Sequence, residues 1–329
     1  MVKVVNSLHV ATPTPQITRL LLDPWSADYP ASVQAAGDAE PDVHVDPALE
    51  TPRWSAVPAG TAPETAAFVD GVRRLEARLI GLRVEGIVHG LFATFATGAT
   101  VVSSSTASFA ECCTARRLIL TSGFIRSETL RVGNANLDFE GLAIPGTDPA
   151  DLVVALQNAM RDAERKLASR LSAPITFLDG PLAYLTEPPG PVLGVIKSIH
   201  RLYLDPKRLE LVGQLRTGER TPIFAIQEGR KNRYSCYLRI AERRPLHHGF
   251  SGVIRLEASA VSGISAAVKL AGISAALLPR FASSANRDPR APQNLTPVGA
   301  LEEHLRNQMG DATLVQRAIE RRISEGLLL

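Results

Sequence analysis

Apolar residues after residue 65 recur in short runs or alternate with polar ones, which is the pattern of β-strands. The segments "AAFVDGVRRLEARLIGL", "VEGIVHGLFATFATGATVV" and "ARRLILTSGFI" predict the first strands. Five later runs, "PITFLDG", "VLGVIKSIHRLYL", "TPIFAIQE", "YSCYLRIA" and "SGVIRLEA", predict further strands. Because a helix separates the two groups and helices follow the second, we expect an α/β body with a mixed sheet.

The clearest helical pattern covers residues 149–172. Asp148 is suited to cap this helix, and Pro149 fits its first position. Apolar residues at helical spacing form its buried face: Leu152, Leu156, Met160, Ala163, Leu167 and Leu171. From about residue 263, the pattern predicts helices interrupted by the loop "SSANRDPRAPQNLTP".

The N-terminal part lacks a sustained period. Residues 26–65 are rich in Pro, Ala and Asp, which indicates an irregular arm. We therefore divide the chain into an N-terminal arm and linker, residues 1–65, and a main domain, residues 66–329. This division leaves the strands and helices in one domain.

Charge and cysteine content narrow the class of protein. The net charge is only +3, but residues 200–248 carry eleven Lys and Arg against five Asp and Glu. None of the three cysteines forms a C-x-x-C pair, which argues against a disulfide scaffold and the usual zinc spacings. Residues 86–110 lack Asp, Glu, Lys and Arg, but Gly, Thr and Ser interrupt them, so we interpret them as buried sheet. Without an N-terminal apolar signal segment, a cytoplasmic protein with no membrane association is expected.

Two Asp-Gly phrases stand out, "FVDG" at Asp70 and "FLDG" at Asp179. Asp-Gly between apolar runs is a strong hairpin signal, and at Asp70 the local sequence favours that interpretation. At Asp179 it is weaker, because Pro181 cannot donate to a returning strand. The alternative is that each strand carries an acid into a shared site, where such acids hold a divalent metal.

Glu164 offers a third acid. On a helical projection it falls at the edge of the apolar face, whereas the other charged residues of its helix lie further toward solvent. One interpretation is a boundary residue with a packed stem and a solvated carboxylate. The other is that it joins Asp70 and Asp179, in which case three gathered carboxylates need a hard cation to offset their repulsion.

The order of these segments resembles the NurA nuclease family, which works with the hexameric HerA motor in DNA-end resection. The resemblance rests on "FVDG" with Asp70, on Glu164 in the helix, and on "FLDGPL" with Asp179. "GVIKSIH" and "PRAPQNLTPVGALEEHL" extend it, so that it covers about residues 66–311. The sequence departs from the family where Val72 and Pro181 replace the serine of Asp-Gly-Ser.

The resemblance implies a ribonuclease H-like mixed sheet with flanking helices and inserted β-barrel-like strands. The catalytic residues that it implies are Asp70, Glu164, Asp179, Lys197 and His304. All of these except Lys197 would be metal ligands, for Mn²⁺ or alternatively Mg²⁺, and Asp288 or Glu302 could take the place of His304. Lys197 would meet the scissile phosphate; its other interpretation is a solvated lysine at a strand edge.

The family comparison also implies a function. We expect a metal-dependent deoxyribonuclease, namely a five-prime to three-prime exonuclease that also has single-strand endonuclease activity. The expected partners are single- and double-stranded DNA ends, a HerA-like hexameric ATPase and a second copy of the chain. The basic stretch supplies candidate DNA contacts at Arg230, Lys231, Arg233 and Arg239.

One observation and one alternative function bear on these expectations. The sequence contains no G-x-x-x-x-G-K-[ST] motif, so a motor would have to be a separate protein. The alternative function is a catalytically silent DNA-binding or motor-adaptor subunit with the same fold. Both functions account for the basic stretch, but only the nuclease accounts for three acids at the matching places.

Overall fold

The computed structural model describes residues 43–83, 86–182, 190–228 and 231–326. Its strands are β1 (Val43–Asp46), β2 (Ala66–Arg83), β3 (Gly86–Val102), β4 (Ala107–Leu120), β5 (Glu128–Val132), β6 (Ala135–Ala143), β7 (Thr176–Asp179), β8 (Val192–Ile196), β9 (Phe224–Glu228), β10 (Lys231–Arg239) and β11 (Val253–Ser259). Its α-helices are α1 (Ala150–Arg170), α2 (Pro206–Gln214), α3 (Ile264–Leu277), α4 (Thr296–Gln308) and α5 (Ala312–Ser324). Short 3-10 helices cover Ala260–Ser262 and Leu278–Phe281.

The strands form one mixed sheet in the order β1-β9-β10-β11-β8-β7-β2-β3-β4-β6-β5. In its centre, β7 pairs in parallel with both β2 and β8. The parallel pair β4 and β6 lies further toward one edge, and the other pairs are antiparallel. The expected α/β body with a mixed sheet is therefore confirmed.

Helices cover both faces of the sheet, because alternate residues of its strands are apolar on each side. Phe68 of β2 belongs to the core cluster that contains residues of α3 and α4. The next residue, Val69, packs instead with Leu167 of α1. Further along β2, Val72 packs on Leu301 of α4. The face that α4 covers therefore receives Phe68, Asp70 and Val72 from β2, and the opposite face receives Val69 and Gly71.

The helix predicted at residues 149–172 is confirmed within two residues at each end. Pro149, and not Asp148, is the residue at the N-cap position, and its side chain makes no cap hydrogen bond. Asp148 lies one residue earlier and accepts a hydrogen bond from the backbone N–H of Ala150 at 2.8 Å. Residues 86–110, expected as buried sheet, form β3 and the start of β4, and β3 is largely buried.

The predicted hairpin turn at Asp70 is wrong. β2 runs through Asp70 and Gly71 without interruption, with Asp70 opposite Gly98 of β3. At Asp179 the strand does end, because Gly180 adopts φ 98° and redirects the chain. No hairpin forms there either, since β7 and β8 are parallel.

The strands β9, β10 and β11 continue the open sheet through the pairing of β11 with β8. Within the described ranges they do not close into a barrel, which corrects the expectation of inserted barrel-like strands. The reason is that β1 occupies the free edge of β9. Residues 43–65 of the expected arm thus contribute a strand to the sheet, and residues 1–42 lie outside the described residues.

One described segment, Ile264–Phe281, has the length and apolar composition of a membrane-spanning helix. In the structure it comprises α3 and the 3-10 helix after it, and it packs on the sheet through Ala267, Leu270 and Leu278, among others. An apolar helix placed in this way is a core element of the fold.

Candidate metal centre

The site begins with Asp70 near the start of β2. Phe68 and Val69 before it are fully buried, which fixes this part of the strand in the middle of the sheet. Since side chains alternate along a strand, Asp70 points to the face covered by α4. Its carboxylate is 6% exposed and forms no hydrogen bond or ion pair with another described residue. A buried carboxylate without partners is costly unless a cation or a proton neutralises it.

Asp179 enters the site from the neighbouring strand. β7 runs parallel to β2, and the pairing of Phe68 with Phe177 places the end of β7 beside Asp70. Asp179 follows Phe177 by two residues, so both side chains point to the same face of the sheet. Phe177 belongs to the core on the α4 side. The two aspartates therefore converge at the point where β7 ends.

Glu302 of α4 is the third carboxylate. Oxygen atoms of Asp70, Asp179 and Glu302 lie within 4.8 Å of one another. Three carboxylates at this spacing form an oxygen donor set suited to Mg²⁺, Mn²⁺ or Ca²⁺. Arg290 binds both oxygens of Glu302 at 2.9 Å, which holds the glutamate in place from the loop before α4.

Glu164 lies beside this cluster, on the other side of β2. It is 6% exposed, so the interpretation of a solvated carboxylate is wrong. A side chain at position 71 would come within 2.6 Å of the Glu164 Oε1 atom, so Gly71 makes room for the carboxylate. Because Gly71 and Asp70 point to opposite faces, Glu164 approaches from the α1 side and is not part of the group of three.

The electrostatics of the cluster follow from burial and repulsion. Burial raises the pKa of Asp70 well above its ordinary value; the charge of Asp179 raises it further, Lys197 lowers it, and Glu164 and Glu302 raise it. For Glu164, burial and then Asp179 raise the pKa to about 8, while Arg161 lowers it. The neighbouring acids thus make ionisation of Asp70 and Glu164 harder, which is the condition that a bound cation relieves.

Lys197 lies directly after β8 and provides the positive charge nearest to Asp179. Its Nζ atom is 2.9 Å from the Asp179 Oδ2 atom and 2.7 Å from the Asn294 Oδ1 atom. The residue is only 7% exposed, so the interpretation of a solvated strand-edge lysine is wrong. The ammonium group is thereby fixed at the edge of the carboxylate cluster.

The structure does not bring His304 into the group. Its ring stacks on Phe109 with centroids 4.2 Å apart, and its Nε2 atom contacts Gln308. Of the two alternatives, Glu302 belongs to the cluster and Asp288 does not. Asp288 accepts two hydrogen bonds, one from the backbone N–H of Arg290 at 2.7 Å and one from the side-chain amide of Asn294.

The expected DNA contacts need correction. Arg239 is 1% exposed and donates to backbone carbonyls of α2 and of the loop before β11. Arg233 is 5% exposed and is paired with Glu257 and Glu228. Both guanidinium groups are enclosed by protein and cannot reach a DNA phosphate in this arrangement. Arg230 lies outside the described residues; the backbone of Lys231 begins β10, and its side chain is not described.

A cleft of about 490 Å³ opens next to Asp179 and Lys197. Basic side chains line much of it: Arg161, His200, Arg201, Arg255 and Arg290. Positive charge around a cleft attracts polyanionic ligands such as nucleic acids. The sequence pattern did not identify this surface, since its residues come from α1, from the segment after β8, from β11 and from the loop before α4.

Two site residues, Asn294 and Arg290, were not predicted at all. Both lie in the loop "SSANRDPRAPQNLTP", where neither periodicity nor spacing indicates which side chains point inward. The only available signal is that a polar loop with several Asn, Asp and Arg residues precedes the helix of Glu302.

No protein-family model matches the chain, and no curated protein does. Among solved structures, the chain is similar to the NurA nuclease from Sulfolobus solfataricus, with 10% sequence identity, a TM-score of 0.42, and coverage of 84% of this chain and 89% of that chain. It is also similar to NurA with manganese, with 16% identity, a TM-score of 0.18, and coverage of 41% of this chain and 24% of that chain. At such low TM-scores, a functional assignment has to rest on the geometry of the site.

Proposed function

We propose that this chain is a divalent-metal-dependent deoxyribonuclease that hydrolyses phosphodiester bonds. The observation that carries the proposal is the convergence of Asp70, Asp179 and Glu302 within 4.8 Å, next to Lys197 and at the end of a basic cleft. Carboxylates that hold a metal, together with a positive side chain, are what phosphodiester hydrolysis requires.

The residues fit a divalent ion. Asp70 is buried with no partner among the described residues, and the pKa values of both Asp70 and Glu164 are raised by burial and by neighbouring acids. Asp70, Asp179 and Glu302 would hold the ion. When bound, it would supply activation of a water molecule and stabilisation of charge on the phosphate oxygens.

The protein's own groups have separate roles in this proposal. Lys197 binds a non-bridging oxygen of the phosphate and stabilises the negative charge that develops there. Glu164, which holds a proton up to a pH of about 8, orients the attacking water or accepts its proton once the nearby charge is neutralised. Arg161, His200 and Arg201, the more exposed basic residues of the cleft, hold the rest of the strand against the cluster. Arg255 and Arg290 contribute charge from behind, since they are paired with Glu257 and Glu302.

The test is substitution of one acid at a time. Asp179→Asn is expected to fold and to bind DNA, but to lose nearly all cleavage of linear DNA with Mn²⁺ or Mg²⁺. It removes a charge and an oxygen donor from the metal site. Asp162→Asn is the matched control, because Asp162 is a half-buried aspartate of α1 that lies outside the cluster and pairs with Arg165 and Lys166. Near-normal cleavage by Asp179→Asn at equal metal concentration would contradict the proposal.

The alternative is a catalytically silent subunit that binds DNA. The basic cleft alone is compatible with it. In a silent subunit, however, the buried Asp70 carboxylate beside two other acids would lower the stability of the fold without serving a function. Nucleotide release from linear DNA that depends on metal and stops with a chelator separates the two functions. DNA binding without release at any metal concentration would favour the silent subunit.

The finer parts of the proposal concern the polarity of cleavage, the preferred metal ion and the protein partners. We propose a five-prime to three-prime exonuclease that prefers Mn²⁺, forms a homodimer and acts with a HerA-like hexameric ATPase in DNA-end resection. The resemblance of "FVDG", "FLDGPL" and "GVIKSIH" to the NurA family supports this. Substrates labelled at one end test the polarity, because five-prime labels would be released first.

The partner proposal has its own test. Ile323 near the C-terminus is 43% exposed, and the sequence continues as "SEGLLL". An apolar terminal segment is a candidate contact site for a second copy or for the ATPase. Light scattering and co-elution are expected to reveal weaker association when residues 323–329 are removed. Unchanged association would exclude this segment from the interface.

A further inference from the structure

We propose that Asn294 is a positioning residue that holds Lys197 in its productive place, and that Asp288 fixes the orientation of the Asn294 amide. This inference rests on the proposed function, because it assigns Lys197 to the phosphate. It adds to that function two residues that form no part of the carboxylate cluster itself.

The contacts of Lys197 carry the first step. A lysine ammonium group has three N–H donors on a flexible four-carbon stem. Within the described part of the chain, Nζ has two acceptors, the Asp179 Oδ2 atom at 2.9 Å and the Asn294 Oδ1 atom at 2.7 Å. One donor is left for a phosphate oxygen. Two fixed acceptors restrict the ammonium group far more than Asp179 alone would.

The orientation of the Asn294 amide carries the second step. A side-chain amide has a donor end and an acceptor end, whereas an ionised carboxylate only accepts. Asn294 donates through Nδ2 to the Asp288 Oδ2 atom, so its acceptor end necessarily faces Lys197. Asn294 is fully buried, so no water can take over either role.

The same loop also holds the third carboxylate. Asp288 accepts the backbone N–H of Arg290 at 2.7 Å, and the Arg290 guanidinium group binds Glu302. Asp288 therefore stabilises a loop with two tasks: it presents Asn294 to Lys197 and Arg290 to Glu302. This arrangement explains why Asp288 lies close to the three carboxylates without joining them.

An exchange of the two side chains tests the proposal. Asn294→Asp alone places a carboxylate against Asp288, and the repulsion displaces one of the two residues. Asp288→Asn alone lets the Asn294 amide take either orientation. Asn294→Asp combined with Asp288→Asn restores one donor facing one acceptor, and it leaves the net charge unchanged. Residue 294 then again presents an oxygen atom to Lys197.

We expect Asn294→Asp to lower kcat for DNA cleavage by about 10- to 100-fold, the usual effect of losing a residue that orients a functional group. Asp288→Asn should have a smaller effect, and the exchanged pair should recover kcat to within a few-fold of the original chain. In a Lys197→Met background, Asn294→Asp should have little further effect. Thermal unfolding of each variant shows whether it has folded, and Asp138→Asn, on strand β6 at the other side of the sheet, is the control.

A second measurement does not depend on cleavage. The affinity for a short single-stranded oligonucleotide, measured with a chelator present, should fall in Asn294→Ala but not when Lys197 is already Met. If the original chain binds but never cleaves, the proposed function fails while this comparison still tests the positioning. Folded Asn294 variants with unchanged kcat and affinity would overturn the inference, as would equal losses with and without Lys197.

Discussion

Glu164 is the residue whose charge state should be most visible in the stability of the protein. Its pKa is about 8 in the fold against an ordinary value of 4.5, because of burial and then Asp179, with Arg161 acting in the opposite direction. Between these two values, the folded chain keeps a proton that the unfolded chain has lost. The free energy of unfolding of the metal-free protein should therefore decrease as the pH rises from about 5 to 8, by up to about 1.4 kcal/mol per pH unit.

Urea unfolding at several pH values checks this prediction. Glu164→Gln should flatten the dependence and be more stable than the original chain at pH 8, since it has no charge to bury. Some slope should remain, because the pKa of Asp70 is raised as well. Glu303→Gln, an exposed glutamate of α4, is the control. Parallel curves for Glu164→Gln and the original chain would show that Glu164 is not the group responsible.

At the residue scale, the sequence identified Asp70, Asp179 and Lys197 as members of one site, and the structure brings them together. The sequence could not choose among His304, Glu302 and Asp288, and of the two that lie on α4 the structure selects Glu302. Glu302 and His304 are two residues apart on α4, so their side chains point in directions that differ by about 200°. Only one of them can face the cluster. The choice depends on how α4 is rotated, which Val298, Leu301 and Leu305 decide by packing on the sheet.

At the scale of elements, the contact between β2 and α1 depends on the absence of a side chain at residue 71. A Cβ atom there would lie 2.6 Å from Glu164 Oε1 and 2.9 Å from Met160 Cγ. We expect Gly71→Ala to lower the free energy of unfolding by about 1–3 kcal/mol, the usual cost of overpacking. Gly213→Ala in α2 is the matched control, because the nearest atom to its Cβ would be 4.0 Å away.

Chemical unfolding of the two glycine variants measures the difference. Gly213→Ala should be neutral or slightly stabilising, because alanine favours a helix more than glycine does. Cleavage by Gly71→Ala should also fall, since the substitution displaces Glu164. Equal stability of both variants would mean that α1 can shift away from β2 without cost.

Arg239 connects three elements of the fold and should therefore contribute to the free energy of unfolding. It belongs to β10 and donates to Leu215 and Val212 at the end of α2, and to Gly249 and Ser251 before β11. Arg239→Met should cost about 3 kcal/mol, because several buried carbonyl groups lose their donor. Arg244→Met, at an exposed arginine in the loop after β10, should change stability by less than about 0.5 kcal/mol.

Unfolding by urea and DNA binding at several salt concentrations together test the role of Arg239. Arg239→Met, measured where it is folded, should keep the salt dependence of the original chain, because the guanidinium group that it removes is enclosed by protein. A flatter dependence would restore Arg239 as a phosphate contact.

Elements were predicted better than their connections. The apolar runs located most of the strands, and the spacing of six apolar residues located α1. The phrase "FVDG" misled because turn propensity is local, whereas pairing with the whole of β3 decides the course of β2. Charge was equally ambiguous: Arg233 and Arg239 contribute to a basic stretch of sequence, but both are buried with partners in the structure.

At the scale of the whole molecule, residues 43–65 attach the N-terminal part of the chain to the sheet. β1 covers the edge of β9, and both oxygens of Glu50 bind the buried Arg220 at 2.8 Å. A chain that begins at residue 66 should be less stable than one that begins at residue 43 by at least about 3–5 kcal/mol, because Arg220 keeps a buried charge without its partner.

Thermal unfolding of the two truncated chains measures this difference. Glu50→Gln in the longer chain separates the loss of the ion pair from the loss of β1. The shorter chain should also aggregate more readily, since the edge of β9 becomes available to other strands. Equal unfolding temperatures would show that residues 43–65 lie on the fold without supporting it.

The ammonium group of Lys197 beside Asp179 has a consequence for how ions enter the site. The metal-free cluster already contains an internal counter-ion, so a divalent ion that reaches Asp179 meets a resident cation as well as acids. The ion therefore enters a cluster whose negative charge is already partly neutralised. Because Lys197 lowers the pKa of Asp70, this aspartate should release fewer protons when an ion binds than it would without the lysine.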